Sequence, residues 1–494
     1  MTVTHSGPNG TAPPNSSGIK VIIVGLGLAG LTAAIECYRK GHRVIGLEKT
    51  PKPTHLGDIF SISSNGAIVI QKWDGGSVSR YLDSVRCDVD NITVWDEAAN
   101  VKLRKDMNGY REGEGLVLNR STTVCTLYEY GKSLGIDLRF GVSVSSYWED
   151  DRQAGVIADG ERLSADCVIA SDGIHSKARP IITGDTRPLT KSGAATYRAG
   201  YPAEVLNDHP DAQWILEGTE KADQLNHFIG KDIAVIMGTG RHGKDVYWGC
   251  LHRSSDGVSK SWLQPSDVTK ALALIENWPA RDKVAAVIKN TPNMTCYDHL
   301  VMAVDPLLRW VSEKGRMMVI GDAAHAFIPT SGQGASQSIE DGAVVAICLE
   351  LAGKDRIPLA LSVMEKLRYK RISFIGEGSA KMLESLHGAD WDAKQQDKLP
   401  TLIARAMWIF DHDCQTSTYE EFSKAADAVA TNSMYVPANI PSDGRYGIVE
   451  EEGKSTVKVP LEPPAPYLYS RNRLALFELL RVRHDRKNAC YRCL

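Results

Sequence analysis

The sequence predicts an α/β chain in which a discontinuous βαβ-type domain is interrupted by an inserted β-sheet domain and followed by a helical C-terminal extension. The first observation is a strand, a glycine-rich turn, a helix and a second strand within residues 19–50. The second is that further buried strands running into turns and helices recur at 120–180 and 316–375. The third is that residues 190–255 read as long strands rich in Tyr, Trp and Ile, with few helical periods.

Composition places the chain among ordinary globular proteins and limits its partners. It has 494 residues, of which 43% are hydrophobic and 24% are charged, so wholesale disorder is excluded. The net charge of -3 argues against nucleic acid or an anionic membrane as the main partner. We find no uninterrupted apolar run of about 18 residues outside a glycine-patterned segment, which predicts no membrane span.

The cysteines and the N-terminus indicate a reducing compartment. Ten cysteines are scattered, often inside apolar runs, as is typical of buried thiols rather than disulfides. The one close pair, Cys490 and Cys493, has no second pair nearby, so we predict no metal site. No secretory signal is visible, and we therefore expect a cytoplasmic protein.

The first ordered element begins at Ile19. The run IKVIIVGLGLAG is a strand that ends in glycines, and LTAAIECYRKG follows with helical spacing and Gly41 as its C-terminal cap. HRVIGLEK is predicted to be a second strand that ends at Glu48. These elements make a βαβ unit of about 30 residues.

Gly25, Gly27 and Gly30 have the GxGxxG spacing of a dinucleotide-binding turn. The first glycine permits the tight turn, the second lets a pyrophosphate approach the backbone, and the third lets helix and strand pack closely. Glu48 is placed to accept hydrogen bonds from ribose hydroxyls. Because an acid here disfavours a 2′-phosphate, NAD or FAD is preferred over NADP at this turn.

Two later motifs decide between these cofactors. SDGIHSKAR contains Asp172 and Gly173 after a buried strand, and GDAAHAFIPTSGQGASQSIED begins with the Gly-Asp pair of Asp322. Together with the first turn, they resemble the group A flavoprotein monooxygenases, the family of para-hydroxybenzoate and salicylate hydroxylases. The resemblance covers about residues 19–375.

The resemblance implies that FAD is bound noncovalently by a Rossmann-like domain, and that NAD(P)H from solution and O2 are co-substrates. The composition of the N-terminus and the order of the elements predict the domain limits, which are a disordered tail (1–18), an FAD-binding domain (19–90, 116–185 and 290–380), a substrate domain (91–115 and 186–289) and a helical C-terminal extension (381–494).

The family's cofactor contacts carry over by position. Glu48 would bind the adenosine ribose, and Arg120, before a predicted helix, would reach the phosphates or the ribityl chain. Asp172 and Gly173 would support the pyrophosphate and bear on NAD(P)H use, although Asp172 could also be only a turn residue. The remaining contacts would come from the last motif, namely Asp322 to the ribityl hydroxyls, Pro329 over the flavin ring, and the backbone of Gly332, Gly334 and Ala335 along it.

Other polar and aromatic residues have two open interpretations. His325 reads more readily as a structural hydrogen-bonding residue than as a base. The aromatic residues of the inserted sheet could line a substrate pocket or form only its core, and they are Trp214, Phe228, Tyr247 and Trp248.

Within the family, the sequence looks most like fungal monooxygenases of prenylated indole alkaloid pathways, on the runs VIIVGLGLAGL, LGDIFSISSNG, SDGIHSK and SGAATYRAG. The resemblance implies 2,3-epoxidation of an indole and a semipinacol shift to a spiro-oxindole. Arg198, in TYRAG, could hydrogen-bond an epoxide oxygen or a phenolate, or form a structural ion pair. Asp58 could anchor a protonated amine, or be an exposed loop charge.

Two other functions stay open. A hydroxylase of a phenolic or polyketide substrate would use the same fold, and Arg198 does not discriminate against it. A non-catalytic flavin or nucleotide sensor is the alternative from another class, and substrate-dependent NAD(P)H oxidation would exclude it.

Overall fold

The computed structural model describes residues 16–53, 59–254, 265–388 and 407–441. Two large β-sheets, of five and seven strands, organise this part of the chain together with the helices packed on them, and two smaller sheets have three and two strands. These residues lie within one unit, Met1–Glu450. The strands are β1 (Lys20–Val24), β2 (Arg43–Glu48), β3 (Ile59–Ile62), β4 (Asn91–Trp95), β5 (Val101–Asp106), β6 (Leu116–Asn119), β7 (Asp137–Phe140), β8 (Val144–Glu149), β9 (Ala154–Ala158), β10 (Glu161–Ala165), β11 (Cys167–Ala170), β12 (Thr190–Pro202), β13 (Leu225–Gly230), β14 (Ile233–Gly240), β15 (Asp245–Arg253), β16 (Cys296–Ala303) and β17 (Met317–Val319).

The helices connect the strands and cover both sheets. They are α1 (Leu28–Arg39), α2 (Ser64–Gln71), α3 (Ser77–Ser84), α4 (Arg120–Ser133), α5 (Ala178–Thr183), α6 (Val268–Leu274), α7 (Arg281–Lys289), α8 (Asp322–His325), α9 (Gly334–Ala352), α10 (Ile357–Gly388), α11 (Met407–Phe410) and α12 (Cys414–Ala430). Short 3-10 turns lie at Trp73–Gly76, Ala203–Leu206, Pro210–Leu216, Pro329–Ser331 and Lys354–Arg356.

The first sheet is parallel, with strand order β17-β11-β1-β2-β7. Strands β1, β11 and β17 are almost continuously buried, as expected for a parallel sheet that is covered on both faces. Helix α1 packs against α4 and α9, and the three-stranded sheet β10-β9-β8 contacts β1 and β11. The predicted βαβ unit is confirmed. Gly41 lies just after the end of α1 and has a φ of 84°, as expected for a glycine that ends a helix.

The second sheet has seven strands in the order β16-β12-β15-β14-β13-β4-β5. All of its neighbours are antiparallel except β13 and β4. Strand β16 pairs with β12 along most of its length, so residues 296–303 belong to this sheet. The predicted limit of the FAD-binding domain at residue 290 is therefore too early.

The two faces of the seven-stranded sheet have different surroundings. One face forms a core with α6 and α7, and this core contains Phe228 and Trp248, while Trp214 packs against it. Tyr247 precedes Trp248 in the same strand and therefore points to the opposite face. Of the aromatic residues considered for a pocket wall, only Tyr247 lies on the face away from this core.

The C-terminal extension returns to the first domain. Helix α12 packs against α9 and α10, and Gln415 at its start donates a 2.8 Å hydrogen bond to the buried carboxylate of Glu36 on α1. Within the described ranges, no helix combines the length and the apolar character that crossing a membrane demands. Residues 1–15, Asp58 and the pair Cys490 and Cys493 lie outside the described residues.

Candidate active site

The GxGxxG turn lies between β1 and α1, where the predicted dinucleotide site requires it. Gly25 has a φ of 91°, and its backbone N–H donates to the Leu47 carbonyl at 2.8 Å. A Cβ on Gly30 would lie 1.9 Å from the Gly25 carbonyl oxygen, so only glycine allows helix and turn to pack this closely. At Gly27, no atom lies within 4 Å of the corresponding position.

Glu48 ends β2 beside this turn and fixes its shape. One carboxylate oxygen accepts from the Leu26 N–H at 2.9 Å and the other from the Thr50 N–H at 2.9 Å. Arg120 is the first residue of α4 and is exposed, and the side chain of Asn119 caps that helix. Glu48 and Arg120, the two residues predicted to contact the cofactor here, thus lie at the end of a strand and at the start of a helix, near polar backbone groups.

The Asp172–Gly173 turn is linked to the last motif by a residue that the sequence analysis did not select. Asp172 accepts from the N–H of Lys177 at 2.9 Å through one oxygen, while its other oxygen is buried and has no hydrogen-bond partner among the described residues. Arg179, which is 7% exposed, donates to the Ala323 carbonyl at 2.7 Å. This bond connects the Asp172 turn to the segment that begins at Asp322.

The last motif forms a loop between β17 and α9. Asp322 is exposed at the start of α8, in contrast to the buried residues that follow it. Pro329 is also exposed, and Gly332 has a φ of 64°. Gln333 is 1% exposed and donates to Ser63 Oγ at 2.8 Å, which holds the loop beside Gly334 and Ala335 at the start of α9.

A buried ionic network supports this loop from behind. Arg368 Nε lies 2.8 Å from Asp341 Oδ1, and Arg371 Nε lies 3.1 Å from Glu340 Oε2. Burial alone would raise the pKa of Glu340, but the positive charges of Arg371 and Arg368 hold that pKa below its ordinary value. Glu340 accepts from the Gln337 amide at 3.1 Å, which also donates to Gln333 Oε1 at 3.1 Å.

His325 belongs to the same network. Its Nε2 lies 2.6 Å from Asp341 Oδ2, and that oxygen also accepts from the Gly321 N–H at 2.9 Å. The ring is 6% exposed and lies beside Trp310 and Phe327. These contacts support the structural interpretation of His325 over the role of a base.

The three motifs leave open backbone where a dinucleotide would lie. Gly27, Gly173 and Gly334 come from three different motifs, and none has an atom within 4 Å of a Cβ position. The exposed carboxylate of Asp322 and the unpartnered oxygen of Asp172 are acceptors suited to hydroxyl groups. The residues present therefore fit FAD.

Arg198 lies on β12, on the sheet face opposite the α6–α7 core. It pairs with Tyr297 of β16, and its guanidinium carbon is 5.7 Å from the centroid of that ring. His299 lies on β16, two residues after Tyr297. Burial and the charge of Arg198 lower the pKa of His299 to about 3, so this imidazole is neutral near pH 7. Arg198 is therefore the charged member of this group.

The same face is directed toward the loop before α9. Leu225 and Tyr247 of this face pack in one apolar cluster with Phe327, which precedes Pro329 in the last motif. Tyr110 packs there as well, with its hydroxyl 3.7 Å from the Cβ position of Gly332. The structure thus brings the Arg198 face and the predicted flavin loop to one region.

Three residues of this region were missed from the sequence. Tyr297 and His299 were assigned to the wrong domain with the rest of β16, although the alternation in CYDHLVMA would have placed both on one face. Tyr110 lies in a turn and carries no sequence signal.

Comparison with known proteins identifies the family. The family described as "FAD binding domain" matches residues 18–356. Notoamide E oxidase notB' of Aspergillus versicolor is 44% identical over 455 residues, which are 92% of this chain and 100% of the relative. Asperlicin C monooxygenase of Petromyces alliaceus is 40% identical and covers 89% of this chain and 96% of its own.

Solved structures agree with these matches. CtdE in complex with FAD and substrate 4 is 54% identical, with a TM-score of 0.81, covering 83% of this chain and 100% of that chain. FqzB is 40% identical, with a TM-score of 0.80 over 88% of this chain and 99% of its own. A salicylate hydroxylase substrate complex, at 22% identity and a TM-score of 0.66, shares the fold. The chain therefore belongs to the FAD binding domain family, within the group A flavoprotein monooxygenases, and is an FAD-dependent monooxygenase.

Proposed function

We propose that this enzyme uses NAD(P)H and O2 to oxidise the indole ring of a prenylated indole alkaloid, by 2,3-epoxidation and a semipinacol rearrangement to a spiro-oxindole. The relatives named for notoamide E and asperlicin C support a complex alkaloid substrate. When bound and reduced by NAD(P)H, FAD activates O2 so that one oxygen atom reaches an electron-rich double bond and the other leaves as water.

The chain's own residues would hold FAD by the contacts expected from the motifs. Glu48 would accept from the adenosine ribose, Arg120 would reach the phosphates, and Asp322 would accept from the ribityl hydroxyls. The Asp172–Gly173 turn would support the pyrophosphate, and the N-terminus of α9 at Gly334 would favour negative charge on the ring. We expect this binding to be noncovalent.

The position of Arg198 carries the proposal for the chemical step. Its guanidinium lies on the sheet face toward the flavin loop, next to the neutral His299. As an epoxide opens, negative charge develops on its oxygen, and a fixed guanidinium can donate hydrogen bonds to that oxygen. The carbon that loses its bond to the epoxide oxygen becomes electron-deficient. A group on the neighbouring carbon then migrates to it, which gives the spiro centre.

Kinetics of Arg198 variants with product analysis, using notoamide E as the probe, test this role. Arg198→Gln should lower kcat by about 10²–10³ or divert the product to an unrearranged oxidation product, since one preorganised donor is lost. Arg198→Lys should restore only part of the rate, because it lacks the planar fork. Arg253→Gln is the matched control, since Arg253 ends β15 with a side chain that is 66% exposed. A near-normal kcat and product for Arg198→Gln would exclude the proposed role.

Asp58 stays a proposed anchor for a protonated amine. Because such an amine is charged in both ground and transition states, Asp58→Ala should raise KM more than it lowers kcat. An unchanged KM would favour the second candidate function, a hydroxylase of a phenolic or polyketide substrate, for which Arg198 could stabilise the phenolate.

A further inference from the structure

Among the glycines in the described ranges that lack a positive φ, three would accept a Cβ without a contact tighter than ordinary van der Waals distance. Gly27 and Gly334 have no atom within 4 Å of the Cβ position, and at Gly249 the nearest is the Tyr197 carbonyl oxygen at 3.6 Å. The other such glycines each meet a neighbour at 3.3 Å or less. Gly27 and Gly334 belong to the cofactor motifs, whereas Gly249 belongs to no motif, and the one atom near its Cβ position is a backbone oxygen of the neighbouring strand, so no side chain fills the space there.

Gly249 lies in the middle of a row that crosses the seven-stranded sheet. It pairs with Arg198 of β12 on one side and with Ile236 of β14 on the other, and Ile236 pairs with His227 of β13. Directly paired residues of neighbouring strands point to the same face. The row therefore lies on the face that carries Arg198, opposite the core residue Trp248.

The residues on the far side of Gly249 have the character of a ligand surface. Ile236 is 39% exposed, although it lies in the interior of a sheet. Burial lowers the pKa of His227 to about 4, so its imidazole is neutral, and it makes no hydrogen bond with the described residues. The row thus offers a cation, an open floor, an apolar side chain and a neutral polar group in succession.

The adjacent row on the same face is filled. Tyr247 lies over Gly200, whose Cβ position is 2.8 Å from that ring. Tyr247 and Leu225 also pack against the apolar cluster that Phe327 contacts. Open space over this face is therefore bounded beside Gly249, and it is not a general feature of the sheet.

We propose that Gly249 is a specificity-determining residue, which leaves room on the sheet for the fused-ring part of the substrate between Arg198 and Ile236. The strands of these two residues are separated by two strand spacings, about 10 Å, which accommodates a flat fused ring lying over the glycine backbone. We call this space over Gly249, between Arg198 and Ile236, the seat. The nature of the ring that it would hold rests on the proposed function, whereas the existence of the seat rests on the geometry of the row.

Binding titrations followed by the absorbance of FAD test this seat in the holoenzyme. The probes are notoamide E, the polycyclic phenol emodin and the small ring 3-methylindole. Gly249→Val should weaken binding of the large probe that binds the wild type by about tenfold or more, since even one methylene in a pocket can exclude a ligand to this extent. It should change binding of 3-methylindole less, and Gly249→Val/Ile236→Ala should recover part of the lost affinity.

Two measurements separate this effect from misfolding and from loss of the cofactor. Gly249→Val should keep its FAD content and melting temperature, because the Cβ meets no close neighbour and β-branched residues suit strands. Gly27→Ala is the matched control and should instead lose FAD. Binding of emodin but not notoamide E, with the same Gly249 effect, would support the seat and refute the indole substrate. An unchanged dissociation constant in Gly249→Val, or no binding of either large probe to the wild type, would refute the seat.

Discussion

Two glycines of one turn, Gly27 and Gly30, should respond differently to the same substitution. At Gly30, an added methyl would overlap the Gly25 carbonyl oxygen at 1.9 Å, so Gly30→Ala must displace backbone. We expect Gly30→Ala to destabilise the protein itself by about 1–3 kcal/mol or more, as overpacking does. At Gly27, the methyl meets no protein atom, so Gly27→Ala should fold but bind FAD weakly.

Thermal unfolding without added FAD and equilibrium binding of FAD to the apoprotein distinguish the two effects. Gly30→Ala should lower the melting temperature of the apoprotein, whereas Gly27→Ala should leave it near the wild-type value and raise the dissociation constant of FAD. Equal melting temperatures for all three proteins would contradict the steric argument at Gly30.

At the scale of elements, one buried side chain, Arg371, joins α9 and α10 to the backbone of the C-terminal segment. Arg371 of α10 pairs with Glu340 of α9 and also donates to the carbonyls of Ile409 at 2.9 Å and Asn439 at 3.2 Å. Arg371→Met would leave the buried Glu340 short of one cation. Because breaking one half of a buried pair typically costs about 3–5 kcal/mol, we expect a large loss in the free energy of unfolding.

Urea unfolding of Arg371→Met and Glu340→Gln checks this expectation. The amide of Glu340→Gln carries no charge but leaves two guanidinium groups with a single carboxylate, so it should also destabilise the protein. Lys424→Met is the control, since the Lys424 side chain is 70% exposed in its pair with Glu421. Similar urea midpoints for Arg371→Met and Lys424→Met would show that the buried network contributes little.

Sequence patterns predicted the positions of helices and strands better than the sheet face to which each side chain points. The βαβ unit and the three motifs were found because a glycine turn between a strand and a helix has a local signature. Trp248 and Tyr247 illustrate the limit, since both are aromatic and adjacent, yet only the partner strands determine which one faces the helices. The same holds for β16, whose residues pair with a strand about a hundred positions earlier. Long-range pairing leaves no mark within such a segment.

The open row at Gly249 could not be predicted for the same reason. Its members, Arg198, Gly249, Ile236 and His227, come from four strands and are joined only by register. The sequence singled out Arg198 because of the surrounding TYRAG run, whereas a lone glycine inside a strand carries no such signal. The proposed contribution of Gly249 to substrate recognition is thus a property of the assembled sheet.

For the whole molecule, we expect three histidines that the fold holds neutral to make stability depend on pH. Burial lowers the pKa of His227 to about 4, and burial together with Arg198 lowers that of His299 to about 3. Burial together with Arg371 likewise lowers the pKa of His412 to about 3. In the unfolded chain these groups bind protons below about pH 6.5. Their contribution is therefore complete above pH 6.5 and is lost as the pH falls toward 4.

We expect the free energy of unfolding to decrease as the pH is lowered from 7.5 to 5.5. Near pH 5.5, each of the three histidines should contribute on the order of 1 kcal/mol per pH unit to this decrease. Urea unfolding at a fixed excess of FAD measures this slope, because ligand binding also shifts the midpoint. Since His227→Gln removes one group that takes up a proton on unfolding, it should flatten the slope by about one proton. The same change at the exposed His242 should leave it as in the wild type. Parallel pH dependences for His227→Gln and the wild type would mean that the folded protein does not hold His227 in its neutral form.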